Sequence, residues 1–114
     1  LWVTGVHTCA LPILGWDILR NHTTAFVSCP DWVTARGMRT LGAPEKGDPR
    51  VISGESGAVT TGLVETLMLD PEYAELKELI GLDKTSSVLC FSTEGDTDPD
   101  QYRRIVWEGE YPTC

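Results

Sequence analysis

A partial, helix-rich α/β piece is the fold class this sequence predicts, and three observations predict it. Helical segments with recognisable start and stop signals follow one another along most of the chain. Strand-compatible runs are few and short, Ala25-Phe26-Val27 and Ser87-Val88-Leu89-Cys90-Phe91 being the clearest, which suits part of a layered domain better than a complete sheet. The chain has 114 residues, 41% of them hydrophobic, enough for one packed core and no more.

Charge and cysteine usage narrow the functions open to it. A formal net charge of −8 provides no basic patch that could neutralise a phosphate backbone, so nucleic acid is not an expected partner. Every apolar run is cut by Gly, Pro or charge well before the roughly 18 residues a membrane span needs, and no membrane association is expected. Cys9, Cys29, Cys90 and Cys114 are far apart and form no CxxC pair, which argues against a disulfide scaffold or a structural zinc site. A cytoplasmic location is the resulting expectation.

Residues 1–13 stand apart from the rest. They lack the charged residues of a protein surface and carry no periodicity that joins the next segment. The stretch from Val3 to Ile13 resembles the in-frame translation of a sequencing-library adaptor, and residues 1–13 are therefore expected not to be native. From Leu14, Trp16, Ile18 and Leu19 alternate with Asp17 and Arg20 as in a short amphipathic helix, ended by Asn21-His22-Thr23-Thr24. Ser28-Cys29-Pro30-Asp31 has the S-x-x-D form of a capping box and predicts a helix with Trp32, Val33, Met38 and Leu41 as its apolar positions, closed by Gly42. Residues 43–49 read as a surface loop.

Ser53-Gly54-Glu55-Ser56-Gly57 then predicts a tight turn into a buried helix with Val59, Leu63 and Leu67 at i, i+4 and i+8. The first N–H groups of such a helix point at whatever lies in front, and an ordinary serine cap would also explain the turn. Asp70-Pro71 is an N-cap and N1 pair; Tyr73, Leu76 and Ile80 share a face, and Gly81 ends that helix. The apolar run Ser87 to Phe91 is expected to be a buried strand that delivers Ser92, Thr93, Glu94 and Asp96 to a site. Asp98-Pro99 repeats the capping device for a last helix bearing Tyr102, Ile105 and Val106.

Two familiar chemistries fail on these residues. Gly54-Glu55-Ser56-Gly57 begins like a nucleophile elbow, but Ala58 stands where the second glycine belongs, and His7 and His22 both precede the serine. The alternating carboxylates Glu94, Asp96, Asp98 and Asp100 suggest a calcium loop, but Gln101 and Trp107 occupy the positions that need glycine and a bidentate carboxylate. What remains is a pair of turns, residues 53–57 and 92–96, able to hold a small polar ligand by hydrogen bonds.

Leu14-Gly15-Trp16-Asp17-Ile18-Leu19-Arg20, Gly37-Met38-Arg39, the run from Asp48 to Val59, Ser92-Thr93-Glu94-Gly95-Asp96-Thr97-Asp98, Tyr102-Arg103 and Val106-Trp107-Glu108-Gly109 occur in one order and at one spacing. Together they resemble the C-terminal part of the diaminopropionate ammonia-lyases, pyridoxal-phosphate enzymes of the fold type II, tryptophan-synthase-like superfamily. The resemblance covers residues 14 to about 112 and implies that residues 14–114 are a piece of the large domain of such an enzyme. It implies that Ser92 faces the pyridine nitrogen of pyridoxal 5'-phosphate, that Glu55, Ser56 and Gly57 lie near the ring, and that Thr93 and Asp96 either support Ser92 or simply order the loop. By the residues alone, Ser92 reads first as satisfying a strand terminus.

The activity implied is elimination of the β-amino group of 2,3-diaminopropionate to give pyruvate and ammonia, in a homodimeric parent. The family's cofactor-binding lysine and glycine-rich phosphate loop have no counterpart here: Lys46, Lys77 and Lys84 each read as surface residues. The fragment alone is accordingly expected to be inactive. The alternative from another class is a non-catalytic module that holds an amino acid or similar small molecule between the two turns.

Overall fold

The computed structural model describes residues 13–113, so the expectation for residues 1–13 falls outside the described residues except at Ile13, of which only the backbone is described. Among the described residues, five α-helices follow in order: α1 (Ile13–His22), α2 (Asp31–Gly42), α3 (Glu55–Leu69), α4 (Ala74–Leu79) and α5 (Pro99–Val106), with a 3₁₀ turn at Pro71–Tyr73. None of the five is long and apolar enough to cross a membrane.

The molecule is organised on the α2–α3 pair, whose backbones are in close contact. Small residues make that approach possible. A Cβ at Gly37 would collide with the carbonyl oxygen of Ala58, and one at Gly62 with the carbonyl oxygen of Val33, so only hydrogen fits at either position. Ala58, Gly62 and Thr66, four residues apart, form the buried stripe of α3. Of the expected apolar face Val59-Leu63-Leu67, only Leu67 is fully buried.

One core forms where α5 closes over this pair: Ala35, Met38, Ala58, Tyr102 and Ile105, flanked by Leu41 and Val106. The Asp98 carboxylate accepts the Gln101 N–H at 3.0 Å and Pro99 occupies the first turn, as the sequence predicts for this helix. Arg39 of α2 then ties down the chain that follows. Its guanidinium donates to the carbonyl of Ile105 at 3.0 Å, an acceptor from the last turn of α5, and to those of Tyr111 at 3.4 Å and Glu110 in the tail that follows. On the other side of α2, Arg36 donates to Thr66 Oγ1 at 3.0 Å and Asp70 Oδ2 at 2.9 Å while its guanidinium stacks over Trp32 at 5.4 Å.

Several expectations are corrected. No strand is present among the described residues: 25–27 and 87–91 are irregular and make no backbone hydrogen bond, so the α/β expectation reduces here to a helix-rich piece. A strand needs a neighbour to satisfy its N–H and C=O groups, and nothing among the described residues supplies one. Ser28 does not cap α2; Pro30 is the N-cap residue and no side-chain bond closes that end. Gly42 lies inside α2 rather than after it, where a Cβ would come 2.8 Å from the Tyr102 hydroxyl oxygen. Asp70 precedes the 3₁₀ turn as expected, but its carboxylate is engaged by Arg36 instead of capping. Gly81 ends the α4 region with φ 75°, the left-handed geometry glycine adopts at no steric cost. α1 forms where expected, yet packs on no other described helix and leaves Trp16 and Ile18 exposed.

Candidate functional site

The loop after α2 returns to that helix through the Val51 N–H, which donates to Leu41 O at 2.9 Å. This delivers Ser53 to the interior and Gly54 to the start of α3. Gly54 is the N-cap residue of α3 and has no side chain with which to cap it. The cap comes from the second turn: Glu94 Oε1 accepts the Gly57 N–H at 2.9 Å, and the Glu94 carbonyl accepts the Gly54 N–H at 3.0 Å. A carboxylate at a helix N-terminus satisfies an orphan donor and complements the helix dipole. Neither Ser53 nor Ser56 caps this helix, and its N-terminus is engaged by Glu94 rather than open.

Above that cap, the two turns meet through hydroxyls. Ser92 Oγ donates to Ser53 Oγ at 2.8 Å, with a longer contact of 3.4 Å to Glu94 O. Gly57 lies directly beneath: a Cβ there would stand 2.5 Å from Ser53 Oγ and 2.9 Å from Ser92 Oγ. Gly54 is equally tight, since its Cβ would reach Gly95 O at 2.6 Å. The facing glycines therefore let the two turns touch backbone to side chain.

Beside this contact opens a cleft of about 310 Å³, floored by Met38 and Tyr102 and rimmed by Glu55, Ser56, Glu94, Asp96, Asp98 and Gln101. Gln101 Nε2 donates to Glu55 Oε1 at 3.4 Å across its mouth. Thr93 Oγ1 donates to Glu94 Oε2 at 2.9 Å, so Thr93 orders the capping carboxylate and does not reach Ser92. Asp96 lines the cleft and shares no hydrogen bond with Ser92 among the described contacts. The structure thus joins Ser92 with Gly57, places Glu55, Ser56 and Asp96 on the cleft next to them, and puts Thr93 one bond removed.

Two residues of these turns to which the resemblance gave no role complete the site: Ser53, the acceptor for Ser92, and Glu94, which bridges the turns. A signal for Glu94 existed in the glycine at the start of α3, because a helix whose N-cap position lacks a side chain must draw its cap from elsewhere. Nothing in sequence marks Ser53 as the one buried serine of the pair.

A second cleft, about 240 Å³, lies between the N-terminal end of α2, α3 and the segment 73–76, lined mainly by Val27, Cys29, Trp32, Leu63, Leu67 and Leu76. Burial pushes the Cys29 thiol up from its ordinary value, which disfavours the thiolate and with it nucleophilic chemistry.

No protein-family model matches the chain. Individual proteins do. Diaminopropionate ammonia-lyase of Escherichia coli K12 is 53% identical over 98 residues, 86% of this chain and 25% of the relative. The Salmonella typhimurium enzyme of the same name is 47% identical over 103 residues, 89% of this chain and 26% of the relative. The chain is homologous to the C-terminal part of diaminopropionate ammonia-lyase. Crystal structures of the Escherichia coli lyase superpose accordingly. The complex with D-serine gives a TM-score of 0.84 at 51% identity, covering 90% of this chain and 26% of the lyase chain. The complex with an aminoacrylate-PLP azomethine reaction intermediate gives 0.84 at 51% identity, covering 90% and 27%. The chain therefore spans about a quarter of the length of the lyases it matches.

Proposed function

We propose that this chain forms one wall of the cofactor pocket of a pyridoxal-phosphate-dependent ammonia-lyase, one that eliminates the β-amino group of 2,3-diaminopropionate to yield pyruvate and ammonia. Homology to the lyase over nearly the whole chain carries this reading. In this reading the chain is part of the large domain of a fold type II enzyme, cytoplasmic and homodimeric in its complete form.

The residues fit such a cofactor. Ser92 is exposed and presents a neutral hydroxyl packed over Gly57, and its described side-chain partners are the Ser53 hydroxyl and the Glu94 carbonyl rather than any charge. When bound, pyridoxal phosphate supplies the electron sink for loss of the α-proton and the β-amino group. Ser92 would meet the ring nitrogen. A hydroxyl there, unlike an aspartate, does not hold a proton on the nitrogen, which weakens the sink and favours prompt elimination. Glu94 keeps Ser92 in register by fastening the second turn to the start of α3. Glu55, Ser56 and Asp96, on the cleft, are the polar groups available to the ring's surroundings and to the cationic amino groups of the substrate.

Lys46, Lys77 and Lys84 do not line the cleft. The lysine that attaches the cofactor and the loop that binds its phosphate would then come from the three-quarters of the lyase that this chain does not match, and the chain alone would turn nothing over. A hybrid tests this: the Escherichia coli lyase with its matched quarter replaced by residues 14–114. It should bind pyridoxal phosphate and release pyruvate from diaminopropionate, while the isolated chain does neither. Ser92→Ala in the hybrid should retain the bound cofactor, with its absorbance maximum shifted, and lose roughly 100-fold in turnover. A folded, cofactor-loaded hybrid without pyruvate release would instead favour a module that binds an amino acid without catalysis.

A further inference from the structure

We propose that Ser53 is a positioning residue that sets the direction of the Ser92 hydroxyl; the proposal rests on the reading of Ser92 as the partner of the cofactor ring nitrogen. Ser92 is poorly held by its own segment. Residues 87–93 make no backbone hydrogen bond among the described residues, and Phe91, next to it, is 71% exposed. Its side chain has one short anchor, Ser53 Oγ at 2.8 Å, and one long contact, Glu94 O at 3.4 Å.

Ser53 is the opposite case. It is 1% exposed, and its backbone is pinned closely on both sides by the Val51 N–H on Leu41 O and the Gly54 N–H on Glu94 O. Gly57 packs against both hydroxyls, so the pair has little room to shift. Within its own turn, the Ser53 hydroxyl has only a long donor contact, 3.3 Å to Gly54 O.

Each hydroxyl has one proton and two acceptor sites, so the pair can run in two directions. With no acceptor in front of it, Ser92 donates to Ser53 and Ser53 keeps its weak bond to Gly54 O. When a ring nitrogen lies in front, Ser92 turns its proton outward. Ser53 then donates to Ser92 across the same 2.8 Å, exchanging a long bond for a short one. The inward bond polarises the outward one and strengthens it. No covalent bond changes; two hydroxyl rotors turn together. A buried alanine at position 53 would leave Ser92 free to rotate and deprive it of this second bond.

The first test uses the chain itself. Three-bond NMR couplings should show a single Ser92 χ1 rotamer in the unsubstituted chain and averaged rotamers in Ser53→Ala, with protection of the Gly57 amide reporting that the turns remain folded. If Ser53→Ala loses that protection, Ser53→Cys replaces it, because the thiol fills the position but is a weak donor. A Ser92 that keeps one rotamer without the Ser53 hydroxyl overturns the proposal, whatever activity the lyase hybrid has.

The second test uses the hybrid. Ser53→Ala should shift the cofactor absorbance in the same direction as Ser92→Ala and lower kcat about tenfold with KM changed less than about twofold. Added to Ser92→Ala, it should cost less than about a further twofold, because both act through one hydroxyl. Fully additive losses would place Ser53 in a separate role and also overturn the proposal. A silent unsubstituted hybrid counts against the lyase function, and the rotamer measurement alone then decides Ser53.

Discussion

Gly57 has no side chain, and the space one would need is already taken. A methyl group there would press on Ser53 Oγ at 2.5 Å, Ser92 Oγ at 2.9 Å and Ser92 Cα at 3.0 Å. Helix propensity alone would reward Gly57→Ala by about 1 kcal/mol, because the position lies in the first turn of α3. The clash falls on a buried serine and a backbone atom rather than on the end of a flexible chain, so overpacking should win, with a net loss of about 1–3 kcal/mol. Urea unfolding of the chain measures it; a gain in stability would show that the two turns can part without cost. The glycine-rich turn was legible in the sequence as a tight turn into a buried helix. Its partners were not, because Ser53 meets Ser92 across 39 residues and Gly57 meets Glu94 across 37. Local pattern carries the need for a small residue, while the identity of what presses on it is a property of the folded chain.

At the level of elements, the signals that proved readable were those satisfied within a few residues. Asp98-Pro99 opens α5 and Gly81 closes the α4 region because a cap or a left-handed turn is a local device. The helix-to-helix contact was not read in this way, although the small residues were in view. Gly37 and Gly62 act as a pair only once α2 and α3 cross, each leaving room for a carbonyl of the other helix. Gly62→Ala tests that contact. Alanine would again gain about 1 kcal/mol in propensity, but its Cβ would collide with the Val33 carbonyl oxygen in the backbone of the facing helix. Relief requires the helices to separate along the interface that buries Val33, Met38 and Leu67, so a loss of about 3 kcal/mol or more is expected. An unchanged urea midpoint would mean that the helices are not in backbone contact at this crossing.

Across the whole molecule, the segment before Ser92 sets how the chain behaves on its own. Val88, Leu89 and Phe91 are 49%, 78% and 71% exposed, and no backbone hydrogen bond holds residues 87–93 among the described residues. Leu89 and Phe91 alternate with Val88 and Cys90, so an extended chain here presents apolar side chains on both faces, the pattern of a strand made to be covered on each side. The sequence marked this run as a buried strand; among the described residues it is exposed and forms none, since pairing needs a neighbour that these residues do not supply. An unpaired apolar edge is a template for another copy. The net charge of −8 opposes association only over about 8 Å at physiological salt, too short a range to outweigh direct strand contact. The isolated chain should therefore self-associate as its concentration rises, seen by sedimentation velocity up to roughly 100 μM. Replacing Leu89 and Phe91 with lysine should return it to a monomer without loss of helix content, because both side chains lie outside the core of Ala35, Met38, Ala58, Tyr102 and Ile105. A monomeric unsubstituted chain over that range would show that the edge is protected by its own flanking segments, and an association that survives both lysines would move the contact to another apolar surface, such as Leu79 or Trp107.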